Sequence, residues 1–293
     1  MLTREKIILY LLSCYSEPID KISFVKLVFL LRQTTILKDV KSFYDFVPYK
    51  FGPFSFTLYR DLARLRIKEI VVSGTKRVVL SQFGRKYVDA EIESLCSSQK
   101  RAVSDLFSTF KEATTNCLVK HVYQTYPWYT IKSAKNWMGG ASSTTAKPAN
   151  CLVHTIGYEG RSIDSFLNHL LKENIQLLID VRANALSRKY GFSKSQLSSL
   201  CQKLGIEYRH ERSLGVPSSE RRNLESHRSY RRLFERYEKR IGLDDYQLVR
   251  SISQVMENAP SALMCFESDI LSCHRRPLAG AISSVNGLTI SHL

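Results

Sequence analysis

The 293-residue chain has no apolar run long enough to span a membrane; its densest, Leu27–Leu31, falls far short. Met1–Lys6 lacks the organisation of a secretory signal. The seven cysteines are odd in number and without CxxC spacing, which argues against a disulfide framework and for reduced, cytoplasmic thiols. No phosphate-binding P-loop occurs, and no GxGxxG follows the first strand of the second half, so nucleotide-dependent chemistry has no motif. Acidic residues are also scarce: 27 Asp+Glu against 43 Lys+Arg leave a net charge of +16. Met1–Asn150 contributes +11 of this and the remainder +5. That imbalance predicts a polyanionic partner, most simply double-stranded DNA, and no membrane.

Helical spacing is present at Ile7, Ile8, Leu11 and Leu12, behind Thr3 as a cap, and again over Ile22–Arg32. Tyr44–Ser55 is punctuated by prolines and a glycine and is expected to be loop. A third helix follows to Leu65, carrying Arg60, Arg64 and Arg66. Two β-like runs, Glu69–Val72 and Arg77–Leu80, are joined by Ser73–Lys76, a hairpin signal. Three helices and a basic-tipped hairpin are the order of a winged helix (α+β) over residues 1–82. Arg60, Arg64, Arg66, Lys76 and Arg77 are then the DNA contacts. The segment Pro48–Ser55 resembles the loop of winged-helix domains in some antitoxin-like proteins. Residues 83–138 form a helical and aromatic bridging region, with Trp128, Trp137 and Lys135 among its aromatics and lysines, through which two chains could pair. Residues 139–150 have linker composition.

From residue 151 to 293 the pattern changes to strand–helix alternation. Strands are expected at Leu152–Ile156, Leu177–Val181, Glu207–His210 and Ala262–Phe266, with a further one at Leu288–Ile290. Helices follow Ser162, as a cap, and Ser193, the latter ended by Gly205; others span Ser219–Arg240 and Asp245–Glu257. The order implies an α/β domain, a Rossmann-like, mostly parallel sheet whose carboxyl edge holds any ligand. Thr155–Tyr158, Asp180–Arg182, Ser187-Arg188, Phe192, Tyr208–His210, Leu214-Gly215, Cys265–Glu267 and Cys273–Arg276 resemble, in order, the family catalogued as domain of unknown function 488. Val216-Pro217 departs from the small residues expected after Leu214-Gly215. The resemblance implies no specific activity.

These motifs all follow strand ends, so they are expected to meet in one crevice. Asp180 is the first candidate and Glu267 the second for a carboxylate that stabilises an oxocarbenium-like transition state and orients water; His210, His274 or an arginine would stabilise or protonate the departing base. Tyr158, Arg182, Ser187, Arg188, Tyr208 and Arg275 are candidate substrate contacts, and Tyr158, Tyr208, Tyr190 or Phe192 could stack on an extruded base. Arg221, Arg222, Arg228, Arg231, Arg232 and Arg236 form a basic helix that could track a DNA backbone. Cys265 with Cys273-His274 suggests metal, but two adjacent ligand residues without a second pair argue against zinc, so neither metal nor cofactor is expected. Sulfur transfer is a rival, since a strand ending Asp-Val-Arg also occurs in rhodanese-like sulfurtransferases. The leading expectation is a DNA glycosylase, cleaving the N-glycosidic bond of a modified or damaged base in repair or defence. The alternatives are a metal-dependent nuclease and an effector-responsive DNA-binding regulator.

Overall fold

A computed structural model describes residues 1–134, 152–221 and 227–293. The expected linker, Lys135, Trp137 and Arg222 lie outside these residues. The chain divides into two compact units, Met1–Thr144 and Thr145–Leu293. Among the described residues, no helix is long and apolar enough to cross a membrane.

The first unit combines helices with two small sheets. Its elements are α1 (Thr3–Ser13), β1 (Ile19–Asp20), α2 (Lys21–Thr34), β2 (Val47–Tyr49), β3 (Gly52–Phe54), α3 (Phe56–Ile67), β4 (Val71–Ser73), β5 (Arg77–Leu80), α4 (Gln82–Glu93), α5 (Ser97–Phe110) and α6 (Thr115–Thr125). Thr3 starts α1 instead of capping it, and the Glu5 carboxylate accepts from the Leu2 amide (2.9 Å). The three-stranded sheet runs β1-β5-β4, all antiparallel. Tyr44–Ser55 is not all loop: β2 and β3 pair as a hairpin, with Pro48 opposite Pro53. Pairs in an antiparallel ladder alternate between bonded and non-bonded, and counting from the closing pair Tyr49–Gly52 puts both prolines where no N–H is required. Gly52 permits the sharp return at φ +82°. The apolar faces of α4, α5 and α6, through Val88, Val103 and Val122, share one core with α1 and α2. The expected bridging region is thus three helices of this unit, because each buries its stripe against the same core.

The second unit is an α/β layer structure. It comprises β6 (Val153–Gly157), α7 (Ile163–Lys172), β7 (Leu177–Asp180), α8 (Lys194–Lys203), β8 (Glu207–His210), α9 (His227–Leu243), α10 (Tyr246–Asn258), β9 (Ser261–Cys265), α11 (Arg275–Asn286) and β10 (Ile290–His292). The sheet is parallel throughout, in the order β10-β6-β9-β7-β8. Central strands β6, β7 and β9 are buried at every position, which is why they read as continuous apolar runs. Register partners Gly157–Cys265, Asp180–Met264 and Asp180–His210 bring four strand ends to one edge. Ser162 caps α7, its Oγ accepting from the Ser165 amide at 3.0 Å. Of the basic helix expected over Ser219–Arg240, the described residues show a 3-10 turn at Ser218–Arg221 and a helix over His227–Leu243.

Candidate active site

The sheet's carboxyl edge carries two side-chain clusters. The first surrounds Asp180, fully buried at the end of β7. Its Oδ1 accepts from Arg182 Nε (2.8 Å) and the Arg182 amide (3.1 Å); its Oδ2 accepts from Arg182 Nη2 (2.6 Å) and Tyr208 Oη (2.6 Å). Arg182 spends its other donors on Tyr158 Oη (3.0 Å) and the Phe192 carbonyl (2.8 Å). Burial, then the Asp180 charge, pushes the Tyr208 phenol well above its usual range. Tyr158 is buried and stacks on the fully buried Phe192 (4.2 Å, 12°), with Phe266 edge-on at 5.3 Å. Neither ring offers a face to a base. Ser187 is absorbed by its own loop, its Oγ accepting from the Lys189 amide (3.1 Å), while Arg188 is exposed. His210 ends β8 with Nε2 on the Arg182 carbonyl at 2.8 Å.

The second cluster gathers Cys265 at the end of β9, Glu267 just beyond it, and Cys273 and His274 at the start of α11. One ligand atom from each lies within 4.8 Å of all the others. Glu267 Oε2 accepts from Cys265 Sγ (3.0 Å) and Cys273 Sγ (3.2 Å). His274 Nε2 is 3.0 Å from the Val181 carbonyl, which can only accept; Nε2 therefore carries the proton and Nδ1 of the neutral ring presents a lone pair to the cluster. That Nδ1 lies 3.8 Å from Cys265 Sγ. Arg221 closes the group from outside, donating to Glu267 Oε1 (2.7 Å) and His274 Nδ1 (3.2 Å). Arg275, also buried, braces it from within, donating to Cys273 Sγ (3.1 Å) and the Glu267 carbonyl (2.6 Å). Burial alone would raise the Glu267 carboxyl, but the Arg221 charge and the thiol hydrogen bonds hold it down at about 2. Burial pushes the Cys273 thiol far up.

The glycine ending β6 is what lets this cluster close. A Cβ on Gly157 would sit 1.9 Å from the Glu267 carbonyl oxygen and 3.0 Å from Arg275 Nη2. Glu267, His274 and Arg221 line a cavity of about 280 Å³ whose other walls include Tyr230 and Phe234 of α9 and Val216. A broader depression of about 1040 Å³ opens past His210, lined by Asn184, Lys194, Arg212 and Arg240 among others. Among the described residues that line it there are cations but no carboxylate.

The expected crevice is therefore two neighbouring groups on one sheet edge. Asp180, Arg182, Tyr158 and Tyr208 hold one another; Glu267 and His274 face a cavity, with Arg275 behind them. The sequence suggests Cys265, Cys273 and His274 as metal ligands but argues against them for want of a second ligand pair; the fold brings Glu267 in beside them, from a strand end and a helix start with no repeated spacing. In the first unit, Arg60 donates to the buried Asp61 (Nε 3.1 Å, Nη2 2.9 Å), as does Arg4 (2.7 Å), and Arg64 pairs with Glu5. Arg66, Lys76 and Arg77 are exposed.

The fold defines the second unit as an α/β domain with a five-stranded parallel sheet. Within it, residues 162–282 match the family model described as "Domain of unknown function DUF488", so the chain carries a DUF488-family domain there. No curated protein matches the chain.

Proposed function

We propose that the protein is a DNA-directed, metal-dependent hydrolase, a nuclease whose metal is held by the second cluster. The observation that carries this reading is the convergence of Cys265, Glu267, Cys273 and His274 beside a 280 Å³ cavity at the carboxyl edge of the sheet. Both carboxylates proposed for base excision are neutralised by arginines, Asp180 by Arg182 and Glu267 by Arg221. That weighs against an unaided acid–base glycosylase and for a cation-assisted route.

A bound metal would supply Lewis acidity and an acidified water. The chain's own residues do the rest. The Val181 carbonyl fixes the His274 tautomer, Arg275 steadies Cys273 and the Glu267 backbone, and Glu267 faces the cavity to orient water. In this reading the second unit is Rossmann-like and the first a winged helix. Exposed Arg66, Lys76 and Arg77 contact the duplex, and Lys194 and Arg212 hold a strand near His210. The +16 charge supports a polyanionic substrate.

Incubation of the full chain with supercoiled plasmid, with and without added divalent metal or chelator, tests it. Metal-dependent nicks without alkali, lowered at least about 100-fold by Glu267→Gln, are expected. Alkali-labile abasic sites formed in chelator would replace the reading with a glycosylase. Binding without product on any DNA would replace it with a regulator.

A further inference from the structure

We infer that the second cluster is a zinc site, held by Cys265 Sγ, Cys273 Sγ and His274 Nδ1, and that Arg221 is the cation zinc displaces. This rests on the metal-dependent reading above and names the metal and the group that competes with it. Two thiolates and an imidazole are soft and borderline ligands, suited to zinc and poorly suited to magnesium, which prefers oxygen. The separations fit: tetrahedral zinc with sulfur ligands at about 2.3 Å sets sulfurs about 3.8 Å apart. The ligand atoms here already lie within 4.8 Å of each other, so closing on an ion needs only small inward shifts.

The supporting shell is in place before any ion arrives. His274 is held by the Val181 carbonyl in the tautomer that leaves Nδ1 free to ligate. Arg275 Nε donates to Cys273 Sγ and is fixed by its second bond to the Glu267 carbonyl. Glu267 lies on the remaining side, its Oε2 beside both sulfurs and its Oε1 towards Arg221. Three protein ligands and a fourth side facing a carboxylate and a cavity are the pattern of a catalytic zinc.

Arg221 sets the exclusion. Its Nη2 donates to the same His274 Nδ1 lone pair that zinc needs, and one lone pair cannot serve both. The guanidinium thus occupies the metal-free cluster as a resident cation, balancing Glu267. On loading it gives up Nδ1 while still lining the cavity, where it is placed to meet a substrate phosphate.

The test is titration of the chelator-stripped full chain with zinc sulfate against a chromophoric chelator, with cobalt(II) chloride as the spectroscopic stand-in. One tight equivalent is expected, with intense tetrahedral cobalt bands and a thiolate-to-cobalt charge-transfer band. Cys273→Ser should weaken zinc at least tenfold and diminish that band; Arg221→Met should tighten zinc several-fold. Absence of tight zinc, or a six-coordinate cobalt spectrum in the unmutated chain, overturns the zinc site whether or not the cysteine variant folds. Weaker zinc in a folded Arg221→Met chain overturns the exclusion. Zinc binding without DNA nicking sinks only the nuclease reading; metal-dependent nicking that Cys273→Ser abolishes, with no zinc binding, sinks only this one.

Discussion

Replacing Asp180 with asparagine separates a carboxylate that holds the sheet edge from one that reacts. Asp180 is fully buried, and its carboxylate accepts from Arg182 and Tyr208. In the variant one oxygen becomes an NH₂ group, which must point its hydrogens at an Arg182 nitrogen whichever way the amide turns. Arg182 keeps Tyr158 Oη and the Phe192 carbonyl but loses its counter-charge. Removing one partner of a buried, hydrogen-bonded ion pair costs about 3–5 kcal/mol, far more than an exposed pair would. With a urea slope of about 2 kcal/mol/M, the transition of the second unit should move down by about 1.5–2.5 M. DNA cleavage per folded molecule, measured well below the new midpoint, should stay within a few-fold of the unmutated chain. A midpoint shift under about 0.3 M, or loss of cleavage in a chain still fully folded, would refute the structural assignment of Asp180.

Gly157→Ala should destabilise the second unit by about 1–3 kcal/mol and weaken metal binding, since its Cβ would meet the Glu267 carbonyl at 1.9 Å; an unmoved melting temperature counts against that contact. Lys26 is buried and burial lowers its pKa from 10.5 to about 7. The unfolded chain therefore binds more protons between about 7 and 10.5, and stability rises with pH across that window. The advantage of the unmutated chain over Lys26→Met should grow by on the order of 3–4 kcal/mol from pH 7 to 10, and parallel pH profiles in urea unfolding would disprove it. Lys76→Ala with Arg77→Ala should leave stability within about 0.5 kcal/mol and flatten the salt dependence of DNA binding by about one unit per lost phosphate contact. Arg64→Ala should also lower stability, because Glu5 loses its partner; equal stability for the two sets would contradict the pairing.

How much of this could be read from the chain alone varies by element. β8, a half-exposed edge strand, falls on Glu207–His210 as expected; β7 and β9 fall within a residue at each end, because strands buried on both faces show as short apolar runs between breakers. The β2–β3 hairpin was hidden by two prolines that look like strand breakers until the register shows them facing each other. The clustering of chemistry at strand ends was legible from the alternation of elements, but not its division in two. Asp180 beside Arg182 reads equally as a catalytic carboxylate or a structural pair, and the Nε and Nη2 bonds support the second. Cys265, Glu267, Cys273 and His274 carry no periodic spacing; a 3-10 turn at Ile270–Ser272 lies in the segment that brings the later pair back to the strand end.

The central claim is that DNA is cut through the Cys265, Glu267, Cys273 and His274 cluster. Its most direct measurement is the nicking rate of supercoiled plasmid by the metal-stripped full chain, then by the same sample with one equivalent of metal restored, beside Cys273→Ser. The account predicts no nicks when stripped, recovery on restoration, and no recovery in the variant. Equal nicking by all three samples, or none by any, would contradict it.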